Sequence, residues 1–228
     1  MTQHDEAPFQ RRVRSFVRRP GRLTPAQQRA LQHDLPRYAV DPRASDLRLA
    51  FDDERPVVIE VGFGNGEALA AMAENEPQHH FVGIEVHEPG VGALVRRLDA
   101  LGLSNVRVAT RDAVEVLAQQ TQAGSVAQLR LYFPDPWPKK RHHKRRIVQR
   151  DFIDQVAWVL EPGGLLHMAT DWAPYAEWMV EVMAGQTEFE CLGQPWVERP
   201  AWRPETRFER RGLRRGHEIF DLLYRRKP

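Results

Sequence analysis

The sequence predicts an α/β fold: an open, mainly parallel sheet with helices on both faces. Three observations predict it. The apolar run Val57-Val-Ile-Glu-Val61 passes directly into Gly62-Phe-Gly-Asn-Gly66 and then into the helix-forming stretch 67–75. That strand–turn–helix unit opens nucleotide-binding sheets, with the glycines letting backbone approach a ligand. Further apolar runs at 80–85, 106–109, 125–133 and 165–170 alternate with stretches of helical periodicity. An acid lies in or just after each of five runs: Glu60, Glu85, Asp112, Asp135 and Asp171. In a parallel sheet all five lie at the carboxyl edge, where such folds bind ligands.

Taken in order, residues 11–22 are rich in arginine, which suits either a polyanion-binding arm or a solvated tail. Thr24-Pro25 reads as a helix start over 26–33, and Pro36 and Pro42 make 34–56 mainly a connector. The expected organisation is a basic arm and connector with a short helix over 1–55, then one domain over 56–228. The glycine spacing is GxGxG, which departs from the dinucleotide fingerprint at Glu67. Glu85, closing the second strand, suits the two hydroxyls of a ribose. Asp112 opens a helix over 113–120, and as cap or as acceptor from an adenine amino group it has two compatible uses. A helical pattern covers 147–160, Glu161-Pro-Gly-Gly164 reads as a breaker, and a further helix spans 174–184. The chain closes with a strand over 218–224.

Totals narrow the class. A 228-residue chain with 42% hydrophobic residues holds a substantial core and is globular. A net charge of +2 conceals clusters of cations near the N-terminus, at 139–146 and near the C-terminus. The single cysteine, Cys191, excludes an intrachain disulfide and a cysteine-based zinc cluster, and no metal is expected. With no apolar span and no signal-like core, a soluble, cytoplasmic protein with no membrane partner is expected.

The most informative stretch is 129–146. An apolar strand meets Phe133-Pro-Asp-Pro-Trp-Pro-Lys139, where three prolines stop the strand and stiffen a loop carrying Asp135 and Trp137. A cationic run follows: Arg141, His142, His143, Lys144, Arg145 and Arg146. An acid and an aromatic beside phosphate-seeking side chains point to a site for a nucleic-acid base.

These residues resemble the bacterial tRNA (guanine-N7)-methyltransferases. The resemblance covers roughly 57–225. It rests on Ile59-Glu-Val-Gly-Phe-Gly-Asn-Gly66, Gly83-Ile-Glu-Val-His87, Arg111-Asp-Ala113, Phe133–Lys139, Ala169-Thr-Asp171 and Thr206-Arg-Phe-Glu209. It implies a class I S-adenosylmethionine-dependent methyltransferase, Rossmann-like, with a seven-stranded sheet. The implied activity is methyl transfer from S-adenosyl-L-methionine to N7 of a variable-loop guanine, position 46, with tRNA as partner. Glu60, Gly62, Gly64, Glu85, Asp112 and Asp135 match cofactor positions, and Asp135 also carries catalysis. Lys139, Asp171, Thr206, Arg207, Phe208 and Glu209 match substrate positions, with Arg207 standing where the family often has lysine. The run Arg141–Arg146 matches RNA contacts. Monomer and homodimer both stay open. A non-catalytic RNA-binding protein on this fold is the alternative, and a nicotinamide-linked oxidoreductase would leave the proline-rich loop without a use.

Overall fold

The computed structural model describes residues 14–16, 21–214 and 216–228. Thr24 starts the first helix, α1 (Pro25–Arg29), through a reciprocal capping box: its hydroxyl accepts from Gln27 N and Gln27 Oε1 accepts from Thr24 N. The chain widens into a π-helical turn, Ala30–Asp34, and continues as α2 (Leu35–Tyr38). The sequence reading has a connector from 34 onward; the helix instead runs through Pro36. The reason is local. The π turn, with Leu35 N–H donating to Ala30 O, precedes the proline and absorbs the bond and the space that its ring denies an α-helix. Nor is the segment a loose connector, since Ala30, Tyr38, Val40 and Leu47 are buried in the core.

The strands are β1 (Val57–Val61), β2 (His80–Ile84), β3 (Val106–Ala109), β4 (Val126–Tyr132), β5 (Leu160–Thr170), β6 (Phe189–Cys191) and β7 (Phe220–Arg226). They form one sheet in the order β3-β2-β1-β4-β5-β7-β6. β1 to β5 are mutually parallel, and β7 runs antiparallel between β5 and β6. All five residues of β1 are buried, as both faces of a central parallel strand must be. On one face α3 (Glu67–Asn75) and α4 (Glu88–Leu101) pack with Val58 and Phe81. On the other, α5 (Ala113–Gln119), α6 (Arg150–Val159) and α7 (Ala173–Ala184) cover Ile59, Val82 and Leu129. α4 ends on Gly102 in the left-handed conformation.

Two further differences from the sequence reading have physical causes. Glu161-Pro-Gly-Gly164 does not precede β5 but lies within it. Val126 pairs with Leu160 and Gln128 with Leu165, so the intervening residues bulge out of the ladder around Gly163, whose φ is 84°. The tail also holds a helix, α8 (Arg207–Leu213), and the closing strand starts at Phe220 rather than 218. Strand order reverses between β1 and β4, which places a crevice at their carboxyl ends.

Candidate active site

The loop after β1 forms one wall of that crevice. Gly62, Gly64 and Gly66 have φ of 75°, 59° and 71°, left-handed conformations that side chains rarely adopt. The alternating glycine spacing therefore follows the backbone of this turn. Glu85, just past β2, pins the loop: its Oε2 accepts from Gly64 N at 3.0 Å, while Oε1 accepts from Val86 N at 2.8 Å and His87 N at 3.0 Å. Gly90 of α4 backs it so closely that a Cβ there would lie 2.1 Å from Gly64 O.

Two cavities share this crevice. The larger, about 890 Å³, lies between the glycine loop and α8 and is lined by Glu60, Asn65, Thr206, Phe208 and the cations Arg210, Arg211 and Arg214. The smaller, about 220 Å³, is lined by Glu85, Asp112 and Asp135, with Ser15 and Phe16 of the N-terminal segment. Gly62, Tyr132 and Phe133 border both. Asp112 caps α5 by accepting from Val114 N at 3.1 Å while also lining the cavity, so its capping use is present in the structure. Glu60 is 3% exposed, and its Oε2 has no hydrogen-bond partner. Burial pushes its pKa up to about 8, against the pull of Arg130 and with a further push from Glu85. A buried acid with an unused oxygen in a cavity wall suits a cationic or N–H donor ligand.

Opposite stands the proline-rich loop. Phe133 and Trp137 are non-glycine residues with φ of 52° and 45°, each storing about 1–3 kcal/mol of strain. Arg146 holds the loop from behind. Read from sequence with the RNA-contacting run, it is 3% exposed and turned inward: Nε donates to Pro136 O at 3.0 Å, and the guanidinium lies over the rings of Tyr175 and Trp178. Lys139 stands just before a short 3-10 helix, Lys140–Arg145, without a side-chain capping bond. Arg141 and Lys144 point to solvent, whereas His142, His143 and Arg145 are half-buried. Trp137 is engaged by its own surroundings, its Nε1–H donating to Ser15 O at 3.1 Å and its ring lying under Arg145. Asp135 is exposed at the loop's turn.

α8 closes the larger cavity. Thr206 and Glu209 form a capping box, a signal present in the sequence as Thr-x-x-Glu. Phe208 is 55% exposed and tilts against Phe133. Glu209 points inward and is gripped by Arg203. The side chain of Arg207 lies outside the described residues, as do Arg11, Arg12, Arg18 and Arg19 of the N-terminal arm. Asp171, at the end of β5, sits beside the end of α8, where its Oδ2 is 3.0 Å from His217 Nδ1, and it lines neither cavity. The structure thus gathers Glu60, Glu85, Asp112 and Asp135 around joined cavities and sets Asp171 to one side. Sequence reasoning missed Arg210, Arg211 and Arg214 as cavity residues, although Arg210 and Arg214 have the one-turn spacing of a helix face.

Among the described residues no helix is long and apolar enough to cross a membrane. A family model described as a putative methyltransferase matches residues 54–222. The fold is similar to the 16S rRNA methyltransferase KamB, with a TM-score of 0.55 and 18% identity over 84% of this chain and 99% of that one. It is also similar to an rRNA methylase from Streptococcus thermophilus, with a TM-score of 0.52 and 15% identity over 77% and 89%. In sequence the chain is 50% identical to the tRNA (guanine-N(7)-)-methyltransferase of Halorhodospira halophila, covering 96% of each. Against the enzyme of that name from Cronobacter sakazakii it is 52% identical, covering 95% of this chain and 92% of that one. With a family model over most of its length and relatives about half identical across nearly the whole chain, the chain belongs to the tRNA (guanine-N(7)-)-methyltransferase family.

Proposed function

We propose that this protein transfers a methyl group from S-adenosyl-L-methionine to N7 of a guanine in tRNA, the variable-loop guanine at position 46. The observation that carries the reading is the pair of cavities that share Gly62, Tyr132 and Phe133 at the switch point, one walled by three carboxylates and the other by arginines around a buried acid with an unpartnered oxygen. The residues fit the methyl donor. Glu85 suits its ribose hydroxyls, Asp112 its adenine amino group, and Glu60 its ammonium, with Gly62 and Gly64 giving backbone access where no Cβ intrudes. When bound, the cofactor supplies an electrophilic methyl group on a sulfonium.

The chain's own task is placement. Guanine N7 carries a free lone pair, so no proton need leave before transfer, and a general base would add little. The site must bring N7 in line with the methyl carbon and tolerate the purine cation that forms. Asp135 accepts hydrogen bonds from the base's N1–H and 2-amino group, and Asp171, held by His217 outside both cavities, serves as a second acceptor only if the base extends beyond them towards α8. Those bonds strengthen as N7 becomes positive and N1–H more acidic, which favours the transition state over the ground state. Reaching N7 in folded RNA requires the base to leave its stack. Lys139, Arg141 and Lys144 on one side, and Arg210, Arg211 and Arg214 on the other, offer cations to the flanking phosphates.

The test is transfer of a labelled methyl group to unmodified tRNA, followed by nucleoside analysis. A 7-methylguanosine product is expected. Label on another atom would keep the cofactor and overturn the base assignment, and tRNA binding without transfer would favour the non-catalytic alternative.

A further inference from the structure

One buried polar chain runs from α8 through Arg203 to the sheet. Arg203, 1% exposed, sits between two carboxylates from separate elements. Its Nε and Nη2 donate to Asp221 of β7 at 2.7 and 2.8 Å, and its Nη1 and Nη2 donate to Glu209 of α8 at 2.6 and 2.9 Å. Asp221 Oδ1 is also 2.8 Å from His167 Nε2, whose other ring nitrogen lies 2.9 Å from the Tyr132 hydroxyl. Burial holds His167 neutral by lowering its pKa. Burial alone would raise Asp221, but the bonds from His167 and Arg203 keep it low and ionised. A neutral His167 facing a carboxylate through Nε2 must be protonated there, so Nδ1 accepts and Tyr132 donates.

Stability is a weak reason for this arrangement, because a buried charge cluster is often no better than apolar packing of the same volume. What the cluster supplies is direction. A seven-residue helix does not hold its place alone, being well below the roughly 12–15 residues an isolated helix needs. Its ties among the described residues include the Phe208–Phe133 contact and the exposed pair Arg210–Glu67 at 3.2 Å. The planar guanidinium fork fixes both carboxylates at once, which a lysine ammonium cannot do. At the far end of the chain, Tyr132 borders both cavities.

We propose that Arg203 is a positioning residue for methyl transfer, setting the cavity wall formed by α8 against Tyr132 through Glu209 on one side and Asp221–His167 on the other. The proposal rests on the reading of these cavities as a methyl-transfer site. The test uses the full chain and four variants: Arg203→Lys, which keeps charge without the fork, Arg203→Met, which keeps bulk without charge, Glu209→Gln, and the double variant Arg203→Lys with Glu209→Gln. Single-turnover transfer to tRNA is measured beside S-adenosylhomocysteine affinity and melting temperature. Arg203→Lys is expected to slow transfer by about tenfold or more, because misplacement by about an ångström has effects of that order. Cofactor affinity stays within about threefold, and Glu209→Gln adds less than about twofold on the Arg203→Lys background, since coupled residues are not additive. Should Arg203→Met not fold, the other three variants carry the test. An Arg203→Lys rate within about twofold of wild type, or rate losses that only follow lost cofactor affinity and lowered melting temperature, overturns the proposal. Wild-type protein is the control: no transfer at all overturns the methyl-transfer reading and this proposal with it, whereas normal transfer by Arg203→Lys overturns this proposal alone.

Discussion

Replacing Glu60 with glutamine gives a prediction whose size follows from the structure. In the unliganded protein burial raises the Glu60 pKa to about 8 from an ordinary 4.5. The folded state thus holds a proton that the unfolded state has released across that window. The sign follows: this group does not oppose folding below about pH 4.5, and stability falls as pH rises towards 8. The shift corresponds to about 4–5 kcal/mol at 1.36 kcal/mol per pH unit. The Glu60→Gln variant lacks the titration, so its advantage in urea unfolding should grow between pH 5 and 8 and then level off. Ligand binding carries the same signature. With its pKa raised to about 8, Glu60 is mostly protonated near pH 7, so pairing with the ligand's ammonium should expel up to one proton. Calorimetric titration with S-adenosylhomocysteine, in two buffers of different ionisation enthalpy, counts that proton. The variant retains the ligand's own titration and loses only the residue's, so the difference between the proteins isolates Glu60. Equal proton release from both, together with a stability difference that does not change with pH, would refute the reasoning.

Four further outcomes follow from the same geometry. Asp135→Ala should slow single-turnover transfer by roughly 30- to 1,000-fold, equivalent to about 2–4 kcal/mol of barrier by analogy with oxyanion-hole donors; near-normal turnover would remove Asp135 from the mechanism. Gly90→Ala would bring a methyl group within 2.1 Å of Gly64 O. It should weaken S-adenosylhomocysteine binding and lower unfolding stability by about 1–3 kcal/mol, both readable by calorimetry and urea titration. Arg141→Ala with Lys144→Ala should flatten the salt dependence of tRNA affinity by about 1.5 in logarithmic slope, since each lost phosphate contact removes about 0.7–0.9. Arg146→Met should leave that slope unchanged and lower the melting temperature, because its guanidinium serves Pro136 and two aromatic rings.

The sheet was legible because its signals are local. β1, β3 and α3 lie where apolar runs and helix formers place them, and Gly102 marks the end of α4. The differences arise where one local rule yields to another or to tertiary context. Pro36 reads as a breaker only if the preceding turn is α-helical, and it is π-helical. Glu161-Pro-Gly-Gly164 breaks an isolated strand, but with Val126 and Gln128 alongside it bulges instead. α8 has a local start signal in Thr206-x-x-Glu209, but at seven residues it is too short for a clear apolar periodicity to follow. In the site, the acids at strand ends were visible because the fold class alone sends them to one edge. The cationic run gave no local sign that Arg146 alone turns inward, since that depends on Tyr175 and Trp178, about thirty residues away in sequence. Arg203 was invisible for the same reason: its partners come from α8 and β7, and no motif joins them.

The central claim is that guanine N7 is the nucleophile and that the site positions it without removing a proton. Its most direct test is a tRNA carrying 7-deazaguanosine at position 46, in which a C–H replaces N7 while the edge offered to Asp135 is unchanged. The account predicts binding close to that of unmodified tRNA and no methyl transfer. Methylation of the substituted tRNA at the normal rate would contradict it.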